Sequence, residues 1–125
     1  MPPALPVTRL RWIKIAEQDV LFLDFCQAKV EESLVLVETF RQTLAGRPPQ
    51  SVLLLTDVTA AAYDASIATR WKSARAEHAQ AIRASAVYGL SGLVGMVRLL
   101  GLAGMDKYLR IFESEADAVA WLGQQ

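Results

Sequence analysis

Soft and imidazole ligands are almost absent from this chain, which has one cysteine, Cys26, and one histidine, His78. A single thiol builds neither a disulfide framework nor a multi-cysteine metal site, and the pattern fits a reducing cytoplasm. One His, one Cys and scattered carboxylates give no ligand pair at helical or loop spacing, so neither a metal nor another cofactor is expected. Charge of one sign is missing too. Lys plus Arg and Asp plus Glu balance at 13 each, without the basic excess of a protein whose main partner is nucleic acid. The most apolar segment, Leu93 to Met105, would be about 20 Å long as a helix. That falls short of the roughly 20 residues a bilayer span requires, so no membrane span is expected. The N-terminal MPPALPVTR has three prolines and no apolar core of signal-peptide length, so residues 1–8 read as a short tail. Internal repeats and low-complexity linkers are lacking. The remaining stretch, 9–125, fits a single domain able to bury roughly two thirds of its unfolded surface. A cytoplasmic protein is the expectation.

What is present is an alternation of strand and helix patterns. Val52, Leu53, Leu54 and Leu55 form a continuous apolar run, which suits a strand covered on both faces. Arg9 to Ala16 mixes Leu10, Trp12, Ile13 and Ile15 with basic residues and suits an edge strand. After a turn at Glu17-Gln18-Asp19, Val20 to Phe25 follows closely enough to form an antiparallel hairpin. The period then becomes helical from Val30 to Leu44, with Val30, Leu34, Val37, Phe40 and Leu44 on one stripe, until Gly46, Arg47, Pro48 and Pro49 stop it. A second helix carries a seam of Ile67, Trp71, Ala74, His78 and Ile82, while Arg70, Lys72, Arg75, Glu77 and Gln80 point away. Ala84 to Tyr88 reads as a strand, and Ser91 as the cap of a helix over Leu93 to Met105. Tyr108 to Phe112 is the last strand, and Ser114 caps a final helix, Glu115 to Leu122, with Asp117 as a weaker capping box. The order β-β-α-β-α-β-α-β-α predicts an α/β fold whose mostly parallel sheet of about five strands has an antiparallel edge strand.

Open α/β sheets carry their functional surfaces at the carboxyl ends of the strands. The Val52 strand runs into Asp57 and Thr59, and Asp64 and Ser66 follow at the next helix entrance. Asp57 and Asp64 form a candidate acid and base pair; the structural alternatives are a strand-end turn for Asp57 and a helix N-cap for Asp64. Thr59 and Ser66 are hydroxyls where an added phosphate would gain from the helix dipole, or where they simply cap. Other chemistries fail on spacing. Gly89-Leu90-Ser91-Gly92-Leu93 has a leucine where a nucleophile elbow needs a small residue, and His78 precedes Ser91 instead of following it. Gly89, Gly92 and Gly95 match neither phosphate-binding glycine pattern. The segment Leu93 to Met105 has a single charge, Arg98. A helix apolar all round must cover both faces. Leu93, Met96, Val97, Leu100 and Met105 are therefore candidates for an apolar contact surface, with ordinary core as the alternative.

The element order resembles the STAS fold of anti-sigma-factor antagonists, in particular the stand-alone bacterial SpoIIAA-like group. The residues that carry the resemblance are Leu55-Thr56-Asp57-Val58-Thr59, Tyr63-Asp64, the Ala84 to Leu93 strand and turn, Phe112-Glu113-Ser114, and Ala116, Ala118 and Trp121 in the closing helix. Antagonists of the partner-switching type carry D-S-S-G at a helix start, with the first serine phosphorylated. This chain reads Asp64-Ala65-Ser66-Ile67, so Ala65 stands at that serine and Ser66 matches only the second. The group implies a binding role, with similarity to lipid-binding CRAL-TRIO domains. The leading expectation is thus a non-enzymatic binding or regulatory module, a homo-oligomer or the partner of another protein, with a lipid or other apolar small molecule as a candidate ligand. The alternatives are an anti-sigma-factor antagonist controlled by phosphorylation at Ser66 or Thr59, and a small enzyme using Asp57 and Asp64.

Overall fold

The computed structural model describes residues 9–62, 65–89 and 109–125. The expected tail (1–8), Asp64 and the whole Leu93 to Met105 segment lie outside them. The described elements are β1 (Leu10–Ile15), β2 (Gln18–Asp24), α1 (Val30–Leu44), β3 (Val52–Asp57), α2 (Ala65–Glu77), β4 (Ile82–Tyr88), β5 (Leu109–Phe112) and α3 (Glu115–Leu122). The strands lie in sequence order, β1-β2-β3-β4-β5. β1 and β2 are antiparallel, and β2, β3, β4 and β5 pair in parallel. The α/β sheet with its antiparallel edge is the one predicted.

The hairpin link is a two-residue turn one position earlier than the expected Glu17-Gln18-Asp19, because Gln18 and Asp19 are already paired with β1 as the first residues of β2. Ile15 pairs with Gln18, and the intervening Ala16 and Glu17 both have positive φ, 51° and 67°, the backbone that matches the twist of paired strands. Because β2, β3 and β4 advance in one direction, right-handed crossovers send α1 and α2 to the same face. There Leu21 and Leu23 of β2 and Leu54 of β3 meet Leu36, Val37 and Phe40 of α1 and Ala74 of α2. On the other face Val20, Phe22, Leu53, Leu55, Ala84 and Ala86 meet Ala118 and Leu122 of α3. Alternate residues of the central strands thus enter two cores, which is why Val52 to Leu55 reads as an unbroken apolar run. Ser114 caps α3 as expected, its Oγ accepting from the Asp117 N–H at 3.2 Å.

The packing departs from the periodic reading at several points. In α1 the buried residues are Ser33, Leu36, Val37, Phe40 and Leu44, while Val30 and Leu34 are only half-buried. The stripe is turned toward Leu36, because the helix must cover β2 and β3 while leaving its flank to α2. Helix α2 ends at Glu77, a 3-10 turn spans Ala79–Ala81, and Ile82 opens β4. Ile82 therefore belongs to the strand and not to the helical seam: its side chain suits a pleated surface, and an i, i+4 pattern cannot mark where a helix stops. Arg75, expected to point away, is buried. Its Nη1 donates to Ser85 Oγ at 3.3 Å and its guanidinium lies 5.4 Å from the Trp71 ring centroid. His78 is largely buried beside Glu77, Nε2 to Oε1 3.7 Å, in keeping with a core histidine.

Candidate functional site

Strand register builds the candidate site at the carboxyl edge of the sheet. Asp24 ends β2 and pairs with Asp57, which ends β3; Asp57 pairs with Tyr88, which ends β4; Tyr88 pairs with Phe112. Paired positions of neighbouring strands share a face. These four residues therefore form a row on the α3 side, where Tyr88 and Phe112 join the core with Ala118 and Leu122.

Both aspartates close local turns. Asp57 Oδ1 accepts from the Thr59 N–H at 2.9 Å and from Thr59 Oγ1 at 2.6 Å. Asp24 Oδ1 accepts from the Cys26 N–H at 2.9 Å. These side chains imitate a backbone turn where the strand pairing ends. Past the strands the backbones remain tied together: Phe25 N–H donates to Asp57 O at 2.8 Å, Gln27 N–H to Thr59 O at 2.9 Å, and Val58 N–H to Tyr88 O at 3.0 Å. Gly89 sits against this turn with φ +92°, so close that a Cβ there would meet Thr59 Oγ1 and lie 2.7 Å from Thr59 N. Arg9 anchors the other side. Its Nη1 donates to the Asp24 and Cys26 carbonyls at 2.9 and 3.1 Å. Its Nη2 lies 3.3 Å from Glu32 Oε2, while Glu32 Oε1 accepts from the Lys29 N–H at 3.0 Å, at the start of α1.

The electrostatics of the edge disfavour ionised thiol and phenol. Burial pushes the Cys26 thiol up from 9.0, Asp57 and Asp24 add to the effect, and Arg9 opposes it. Burial likewise raises the Tyr88 phenol above its ordinary 10.0, followed by the fields of Asp57 and Glu115. Its O–H donates to Glu115 Oε2 at 3.3 Å. A tyrosine with a folded pKa above its unfolded value contributes stability that is fully present below about pH 10 and is lost as pH rises through the folded value. The protein should therefore lose stability steeply above about pH 10, and Tyr88→Phe should flatten that loss. Thermal melts of both proteins across the alkaline range check this; identical slopes would refute it.

Asp24, Cys26 and Asp57 each offer a donor atom, and the three donors lie within 4.8 Å of one another. A sequence scan for ligand spacing misses this group because its members come from two strand ends joined only by register. Two carboxylates and a thiol could hold a divalent cation only if the thiol gave up its raised proton. Elsewhere, a groove of about 160 Å³ between α1 and α2 has Leu34, Val37, Arg70 and Ala74 among its lining residues. It is below the roughly 300 Å³ at which small-molecule pockets begin. Arg41, which also lines it, bridges Glu38 at 2.6 Å and Glu77 at 3.5 Å, and the Arg41 hydrogen bonds hold the Glu38 carboxyl below the usual range.

Of the residues named from sequence, Asp57 and Thr59 stand together at this edge, where Asp57 Oδ1 accepts from the Thr59 N–H and hydroxyl. Ser66 is exposed in the first turn of α2. Asp64, the other half of the acid and base pair, is outside the described residues, as are Leu93, Met96, Val97, Leu100 and Met105. Sequence reasoning missed Asp24, Cys26, Tyr88, Gly89 and Arg9. One signal was available, since LFLD and LLLTD are both apolar runs that end in aspartate.

The same architecture occurs in solved structures. One is a crystal structure of a DUF3478-family protein with a SpoIIAA-like fold from Shewanella loihica PV-4. It superposes with a TM-score of 0.70 at 16% identity, over 90% of this chain and 91% of that one. This chain has the SpoIIAA-like fold. An anti-sigma-factor antagonist (STAS) domain protein from Planctomyces limnophilus is also similar, with a TM-score of 0.55 at 16% identity over 90% of this chain and 97% of that one. No family model matches the sequence, and no curated protein matches it. The chain thus shares its fold with these proteins, while most of its side chains differ. No described helix is long and apolar enough to cross a membrane.

Proposed function

We propose that this chain is a non-enzymatic, STAS-like regulatory module that binds a protein partner, a second copy of itself or an apolar small molecule, with the carboxyl edge of the sheet as its working surface. One observation supports this reading most: the groups at that edge that an enzyme would use are engaged in holding the edge together. Asp57 Oδ1 serves the Thr59 N–H and hydroxyl, Asp24 Oδ1 serves the Cys26 N–H, and the Tyr88 hydroxyl serves Glu115. The Cys26 thiol is shifted away from thiolate, opposite to what a nucleophilic cysteine requires. A fixed set of loop ends on a rigid sheet is instead suited to presenting a surface. The apolar run Leu93 to Met105 supplies the sequence element best suited to meet a second copy or an apolar ligand.

Light scattering and native mass spectrometry on protein purified from its own host test the proposal. The expected result is a dimer or larger assembly, or a monomer carrying a bound protein or an apolar adduct. A bare monomer at high micromolar concentration, with neither, would overturn it.

Phosphorylation control is the second reading, favoured by the exposure of Ser66 in the first turn of α2. Against it, Ala65 occupies the position of the phosphorylated serine in the D-S-S-G pattern. We expect no stoichiometric phosphate on Ser66 or Thr59 in cells, and no loss of partner binding in Ser66→Ala. Intact-mass analysis decides: a single dominant adduct of one phosphate mapped to either residue would replace the leading reading with this one.

A further inference from the structure

We draw no further inference here: the strongest candidate, the Asp24, Cys26 and Asp57 side-chain cluster at the carboxyl edge of β2 and β3, is an acidic group around one thiol with no second observation in the described residues that points to a ligand.

Discussion

Gly89→Ala is expected to destabilise the domain by about 2 to 6 kcal/mol, from roughly 1 to 3 for a strained backbone and roughly 1 to 3 for overpacking. The backbone part follows from φ +92°, where a side chain is disfavoured. The packing part follows from Thr59, whose N and Oγ1 occupy the space a Cβ would need, with Asp57 Oδ1 at 3.0 Å behind them. Relief cannot come cheaply. Thr59 N is main chain, and moving it breaks the Asp57 turn and the Gln27 to Thr59 bond together. Gly46 provides the internal control, because it has φ +79° but open space around it. Gly46→Ala should cost only the backbone part, about 1 to 3 kcal/mol. Urea unfolding of the three proteins measures both effects. The denaturation midpoint should fall much further for Gly89→Ala than for Gly46→Ala, with similar slopes. Equal midpoints for the two variants would show that the close approach of Gly89 to Thr59 does not limit the fold.

Trp71→Ala should cost about 3 kcal/mol, the lower end of the range for large aromatic residues because the side chain is only half-buried. Its indole meets Phe25 edge-on, with centroids 5.6 Å apart and planes at 79°, and it meets Phe40 at 4.9 Å. Phe25 comes from the loop after β2 and Phe40 from α1, so the indole joins α2 to both. Arg75 also lies near the ring, and truncation removes that π face from a buried guanidinium. Lys72, one residue on, is exposed, and Lys72→Ala should stay within about 0.5 kcal/mol of the parent. Thermal or urea melts of the two variants suffice. If both melt with the parent, the phase assigned to α2 is wrong.

Several features were legible because they are local. The unbroken Val52 to Leu55 run announced a strand covered on both faces, and β3 is buried from Val52 through Thr56. The short link after the first strand announced a hairpin. Ser114 was recognisable as a cap from its neighbours alone. Misreadings arose where two surfaces compete for one residue. Arg75 looked solvent-facing on a helical wheel, yet Ser85 on β4 and the Trp71 ring give its guanidinium a buried setting that no periodicity encodes. Ile82 continued a helical spacing by coincidence, and the sheet claimed it.

The candidate site divides in the same way. Asp57 and Thr59 could be found by reading to the end of an apolar strand, since a side-chain-closed turn is decided by residues two apart. Asp24 ends a similar apolar run, whereas Tyr88 has no such signal, and nothing in either segment states that their strands stop level with β3.

By itself the sequence determined the identity and order of the described elements, the edge character of β1 and the covered character of β3, and the turn chemistry at Asp57 and Ser114. Each depends on contacts between residues a few positions apart, where pattern and propensity act directly. The tertiary structure alone decided which strand ends share a row, which face of α1 turns inward, and why Gly89 must lack a side chain. Those outcomes depend on hydrogen-bond register and close packing between segments far apart in the chain, and a shift of one residue in register would send the same aspartates to opposite faces of the sheet.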